Sequence, residues 1–145
     1  HYAAHGNTAA EVIYNRADAE KKFIGLTSFS GDFPTKKDVV IAKNYLDENE
    51  LKVLNNLVSA YFDLAEINAM EHKKMYMSDY VEQLDNVIKT TGKKLLDNAG
   101  SISHKQAIEK AEGEYQRFIQ KNLSPVEESY LDTIRELNKT AKENK

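Results

Sequence analysis

The chain has 145 residues, 41% of them hydrophobic, with six Gly, two Pro and no Cys, so it is long enough for one core, and a disulfide framework, a thiolate nucleophile and a Cys-based zinc site are excluded. Twenty basic against 23 acidic side chains give a net charge of −3, which disfavours counterion-driven, non-specific nucleic-acid binding. No apolar run approaches the roughly 20 residues of a membrane span, so no membrane partner is expected, and the lack of Cys fits a cytoplasmic protein.

The opening residues His1-Tyr2-Ala3-Ala4-His5-Gly6-Asn7-Thr8 place two imidazoles beside a Gly-Asn turn that runs into a helix. Thr8, or Asn7, is the expected cap of that helix, with Glu11 completing a capping box and Val12, Ile13 and Arg16 following. The pattern fades near Asp18. The chain starts without Met, in mid-element, so residues 1–145 are expected to be one helical domain from the C-terminal part of a larger protein. From Ala19 to Lys37 helical periodicity is lost. Phe23, Phe29 and Phe33 alternate with Gly and Ser, which predicts a long loop tucked against the domain, with a short extended piece at Phe23–Thr27.

Asp38 to Leu46 returns to helical spacing. Asp47-Glu48-Asn49-Glu50 then opens a long helix to about His72, its acidic start matching the helix dipole. On that helix Leu51, Val53, Leu54, Leu57, Val58, Ala60, Tyr61, Leu64, Ala65 and Ile67 cover an arc of roughly 220°. So wide an arc predicts the central helix, with Leu57 and Leu64 nearly fully buried. Ser78 is the expected cap of a helix through Thr91, stopped by Gly92. Ser103 caps another, to about Asn122. Ser124-Pro125-Val126-Glu127 opens the last, whose narrow stripe of Val126, Tyr130, Ile134, Leu137 and Ala141 predicts a peripheral helix over 124–145 with a Lys-rich tail. The fold class is therefore all-α: five or six helices around a central long one, with one long loop near the N-terminus.

Candidate chemistry centres on the opening motif. His1 and His5 are the candidate catalytic groups. If the segment is helical they share a face, the spacing of two imidazole metal ligands, although no third ligand is evident and no metal site is assigned. Plain hydrogen bonding to the loop remains the bland alternative. Gly6, Asn7 and Thr8 are candidate anion binders because a helix start presents unsatisfied N–H donors, and Lys43 could add a point charge. Supporting polar groups are Glu11, Arg16, Asn44 and the i, i+3 pair Asp63 and Glu66, whose strip either faces solvent or borders a polar cleft that receives His1, Arg16 or Lys43.

His1 to Asp18, Gly25-Leu26-Thr27-Ser28, Asp38 to Leu46, Leu54-Asn55 to Glu66 and Ala99-Gly100-Ser101-Ile102-Ser103 resemble the C-terminal half of the RhuM family. These bacterial proteins are named as virulence-associated or DNA-binding and are encoded near restriction–modification genes. The resemblance implies an N-terminal half with a helix-turn-helix-like segment through which DNA is the partner, leaving this half free for a protein partner; it implies no settled activity.

A second resemblance lies inside the first. The Fic/Doc signature, His-x-Phe-x-(Asp/Glu)-Gly-Asn-(Gly/Lys)-Arg, is similar in register to His1, Gly6 and Asn7. There the His acts as base, the acid holds magnesium, and the turn and Arg bind phosphate. Here Ala3, His5, Thr8 and Ala9 stand in place of the Phe, the acid, the Gly or Lys and the Arg. The leading expectation is thus an interaction or regulatory module of a DNA-associated protein, with no cofactor. The alternative is a Fic/Doc-like phosphoryl or nucleotidyl transferase centred on His1, using magnesium and a nucleotide.

Overall fold

The computed structural model describes residues 1–122 and 125–143 and is all-α, with six α-helices and no strand among them. The helices are α1 (Tyr2–His5), α2 (Ala9–Arg16), α3 (Glu48–Met70), α4 (Met77–Thr90), α5 (His104–Lys121) and α6 (Pro125–Glu143). The helix starts follow local chemistry. Thr8, Asp47 and Ser103 each accept from the backbone N–H three residues on, and Glu11, Glu50 and Gln106 reach back to complete the boxes. The fourth start differs from expectation. α4 begins at Met77, and the Asp79 carboxylate, not Ser78, holds it by accepting from the Tyr76 N–H at 2.8 Å.

The core lies between α2, α5 and the segment that joins α2 to α3. Val12 and Ile13 of α2, Ala17, Ile24, Leu26, Val39, Ala42, Tyr45 and Leu46 of the connection, and Ala107 and Ala111 of α5 form one buried cluster. The two alanines let α5 approach α2 closely enough for the connection to wrap the pair. Leu51 and Leu54 reach the cluster from the start of α3, but the rest of that helix leaves it. Leu57 is buried at 9% exposure, whereas Leu64 stands at 39% and Phe62 at 62%. The long helix is therefore not the middle of the core. The helix packs against α1 and α4 and leaves the rest of its wide apolar arc to solvent, because two shorter neighbours cover only part of a 23-residue cylinder.

The connection is ordered rather than extended. Phe23–Thr27 holds no strand; Lys22–Gly25 is a tight turn in which Phe23 (φ 51°), Ile24 (φ 64°) and Gly25 (φ 86°) are all left-handed. A Cβ on Gly25 would lie 2.4 Å from the Arg16 carbonyl oxygen, so glycine is required there by space as well as by φ. Asp38 to Leu46 forms two short 3-10 turns, Asp38–Val40 and Ala42–Tyr45, because Ile41 between them is extended (φ −106°, ψ 110°). Side chains stitch these turns. Tyr45 Oη donates to the Val39 carbonyl at 2.6 Å, Asn44 Nδ2 to that of Asp38 at 3.0 Å, and the Thr27 hydroxyl to that of Leu46 at 2.6 Å. The buried Asp38 carboxylate accepts from the Thr35 hydroxyl (2.7 Å) and N–H (2.8 Å), which holds its pKa below the usual range.

On α5 the buried Glu114 accepts from the Ala19 N–H (2.8 Å), Lys110 (3.1 Å) and Arg117 (3.1 Å). Burial alone would raise its pKa, and these bonds outweigh it. The same network fixes where the connection leaves α2. On α6, Tyr130 and Leu137 are exposed. The expected Ser124 cap, the Val126 and Ala141 side chains and the end of the basic tail lie outside the described residues. No helix among the described residues is long and apolar enough to cross a membrane.

Candidate functional site

One helical turn presents the two histidines. His1 caps α1, its carbonyl accepting from the N–H of Ala4 (2.8 Å) and His5 (3.1 Å). Gly6 then turns left-handed (φ 80°) in open space and donates its N–H to Tyr2, which reverses the chain into α2. The rings meet edge to face, with His1 Nδ1 3.1 Å from His5 Nε2. One nitrogen donates and the other accepts, so the pair shares a proton along that line. His5 Nδ1 is buried with no partner among the described residues. Burial lowers the His5 pKa, against the pull of the Glu50 carboxylate.

Beneath this turn lies an ion pair that joins α2 to α3. Arg16 Nη1 donates to Glu50 Oε2 at 2.6 Å and Nη2 to Oε1 at 2.7 Å, and Nη1 also reaches the Tyr45 carbonyl at 2.9 Å. This two-pronged bond holds the Glu50 pKa down at about 2 against the opposing effect of burial. Glu50 thus serves twice, since it also accepts from the Asp47 N–H in the α3 capping box.

The start of α2 is occupied from within. Thr8 N–H donates to Glu11 Oε2 at 2.8 Å, and the Thr8 hydroxyl accepts from the Glu11 N–H at 3.2 Å. The other carboxylate oxygen of Glu11 accepts from the N–H (2.8 Å) and hydroxyl (3.0 Å) of Ser101. The Ser101 N–H first, then Thr8, lowers the Glu11 pKa. Gly100 permits this clasp, because a Cβ there would meet Thr8 Cγ2 at 2.8 Å. Glu11 therefore sets its own negative charge where a bound anion would meet the Thr8 N–H.

The remaining candidates are dispersed. Asn44 is buried and stitches the connection, and Lys43 beside it is exposed. Asp63 and Glu66 sit in solvent on α3, without an ion pair among the described residues. The structure brings together His1, His5, Arg16 and Glu50, and separately Thr8, Glu11 and Ser101. A cleft of about 360 Å³ opens beside the histidine turn, walled by Tyr2–Gly6 on one side and Gly92, Lys93 and Lys94 on the other. Sequence reading missed Glu50, Ser101 and the two lysines. The acidic run Asp47–Glu50 placed Glu50 at a helix start, but nothing local marked it as the partner of Arg16, 34 positions away. No group of three or more His, Cys, Asp or Glu that could hold a metal ion occurs among the described residues.

An all-helical domain that opens with a histidine pair and a Gly-Asn turn into a self-capped helix is the class defined by this geometry. The chain belongs to the Virulence protein RhuM family, whose profile matches residues 1–125. Nearly all of α6 falls beyond the match. No curated protein and no solved structure matches the chain.

Proposed function

We propose that this chain is the protein-interaction domain of a cytoplasmic, DNA-associated RhuM-type protein, and that the α3–α4 hairpin is its contact surface. The observation that carries the reading is the number of large apolar side chains that this hairpin leaves exposed. Val58, Phe62, Leu64, Ile67 and Met70 on α3, with Met77, Val81 and Leu84 on α4, are all exposed. Scattered exposed apolar residues are ordinary, but eight on one two-helix element are characteristic of a surface that another protein covers. In this reading DNA is met by residues that precede His1, as the family resemblance implies, and the −3 charge of this chain keeps it from being the main duplex contact.

The test is site-specific photocrosslinking in the bacterium, with the photoreactive residue at Met70 or Met77, the most exposed of these positions, and, as control, at Lys105 on α5. Adducts to one protein from both hairpin positions, absent from the control and abolished by Phe62→Ser with Val81→Ser, support the reading. No adduct from either hairpin position, or equal adducts from Lys105, overturns it. Duplex DNA should bind the isolated chain with a Kd of about 10⁻⁵ M or weaker near physiological salt, and sub-micromolar binding would contradict the assignment of DNA to another segment.

The transferase reading is the weaker of the two. The Thr8 N–H is engaged by Glu11, and Ala9 offers no guanidinium to grip a phosphate. Calorimetry with ATP and magnesium is expected to show affinity no better than millimolar. Micromolar affinity lost in both His1→Ala and His5→Ala would reverse the ranking.

A further inference from the structure

At the end of the molecule where α5 finishes, two cavities share an aromatic wall. The first, about 340 Å³, is lined by Ala19, Glu20, Lys21, Lys22 and Phe23 of the connection together with Phe33, Phe118 and Lys121. The second, about 360 Å³, is lined by Phe33, Pro34, Phe118, Ile119 and Glu127, and Asn122 borders both. Each cavity falls in the size range of small-ligand sites. Phe33 is 70% exposed although it stands on a connection whose other apolar residues are largely buried. An aromatic ring that borders two cavities presents each of them with part of its surface.

The acidic charge lining the first cavity is paired within the chain. Glu20 is held by Lys121 and by Arg117, so the one acidic side chain lining the first cavity is neutralised. Lys21 and Lys22 are exposed and form no ion pair among the described residues, and Lys22 Nζ stands 5.2 Å from the centre of the Phe23 ring. The backbone carrying these lysines is fixed by the left-handed turn at Phe23–Gly25, by the Ile24 carbonyl accepting from Asp18 N–H (3.1 Å), and by Glu114 holding the Ala19 N–H (2.8 Å). The backbone that carries the two lysines is thus fixed before any ligand arrives, which lowers the ordering cost of binding.

We infer that this cleft binds single-stranded nucleic acid, one base stacking on Phe33 while the neighbouring phosphates lie against Lys21 and Lys22. Base stacking on an aromatic side chain beside a cationic track is the physical basis of sequence-tolerant single-strand binding. A duplex fits less well, since its bases are already stacked on one another and Phe33 cannot reach a face. An acidic peptide would satisfy the lysines but would leave the exposed ring with no flat partner. This site is independent of the hairpin and of the histidine turn.

Fluorescence anisotropy with a labelled ten-residue oligothymidylate, on the chain as it stands, tests the inference. Binding of about 10⁻⁴–10⁻⁵ M is expected at low salt, with log K falling against log salt at a slope of about −1.4, since each phosphate neutralised on a single strand contributes about −0.7. Phe33→Ala should weaken binding about tenfold, and Phe33→Trp should restore it. Lys21→Gln with Lys22→Gln should flatten the salt dependence. All these positions are exposed, so circular dichroism should show an unchanged fold. Unaltered affinity in Phe33→Ala, tighter binding of the matching duplex or of an acidic peptide, or no binding of the oligonucleotide up to millimolar protein would each overturn it.

Discussion

Ala107 and Ala111 of α5 are fully buried, while Phe62 and Met70 of α3 stand mostly in solvent. The contrast separates two regions built from similar residues. In the first, α2, α5 and the connection surround one another on several sides, so even small side chains lose all contact with water. In the second, α3 and α4 have one another, with α1 beside α3, and along them Leu57 and Val87 are the buried residues. Hydrophobicity supplies the drive for burial, but the number of neighbouring elements sets how much burial is achieved. The first region is therefore where stability should reside, and the second is where apolar surface is left for a partner.

The largest expected effects fall in the first region. Ile24 has 0% exposure, and Ile24→Ala should cost about 2–5 kcal/mol in urea denaturation. Gly25→Ala should cost at least ~2 kcal/mol, since a left-handed alanine alone costs about 1–2 and the close approach to the Arg16 carbonyl adds to it. Gly6 provides the control: it has the same sign of φ but open space around it, so Gly6→Ala should show the conformational cost without the clash. Equal losses at the two glycines would mean that α2 and the connection are less tightly apposed than described.

The fold class, the capped starts of α2 and α5, the acidic start of α3 and the tucked connection were legible in the sequence because each depends on residues within a turn or two of one another. The location of the core was not. A 220° apolar arc on α3 reads the same whether neighbours enclose it or leave it bare, and the elements that decide this are the connection and α5, remote in sequence. The left-handed pair Phe23-Ile24 was equally hidden, because both residue types disfavour positive φ and burial of Ile24 overrides that preference. Of the candidate site, the His1–His5 pairing followed from i, i+4 spacing. The Arg16–Glu50 bond and the Glu11–Ser101 clasp could not, being contacts 34 and 90 positions apart.

The ion pair at the boundary of the regions gives an intermediate effect with a pH signature. Glu50→Gln should cost about 1 kcal/mol near neutrality, a modest value because both partners are partly solvent-exposed. The sign is fixed by the lowered pKa. A carboxylate held at about 2 against an ordinary 4.5 stabilises the fold above pH 4.5 and loses that contribution as the pH falls toward 2. Urea midpoints at about pH 5 and about pH 3 should therefore differ less in Glu50→Gln than in the parent. His5 acts at higher pH in the same direction: its pKa is lowered by burial, so its contribution is lost as the pH falls below the ordinary 6.5, and His5→Asn should remove that part of the slope.

The smallest stability effects belong to the hairpin, and they test the comparison most directly. Leu64→Ala would cost about 2–5 kcal/mol if α3 were the centre of the core. At 39% exposure much of the side chain already contacts water, so the loss should stay below ~1 kcal/mol. Phe62→Ser and Val81→Ser, both more exposed still, should each change stability by no more than about 0.5 kcal/mol. Those same serines should remove the hairpin crosslinks, because an interface loses its apolar anchors even when the fold does not. The two readouts must therefore separate. If Phe62→Ser unfolds the chain as readily as Ile24→Ala does, the hairpin is part of the core and has no spare face to offer a partner.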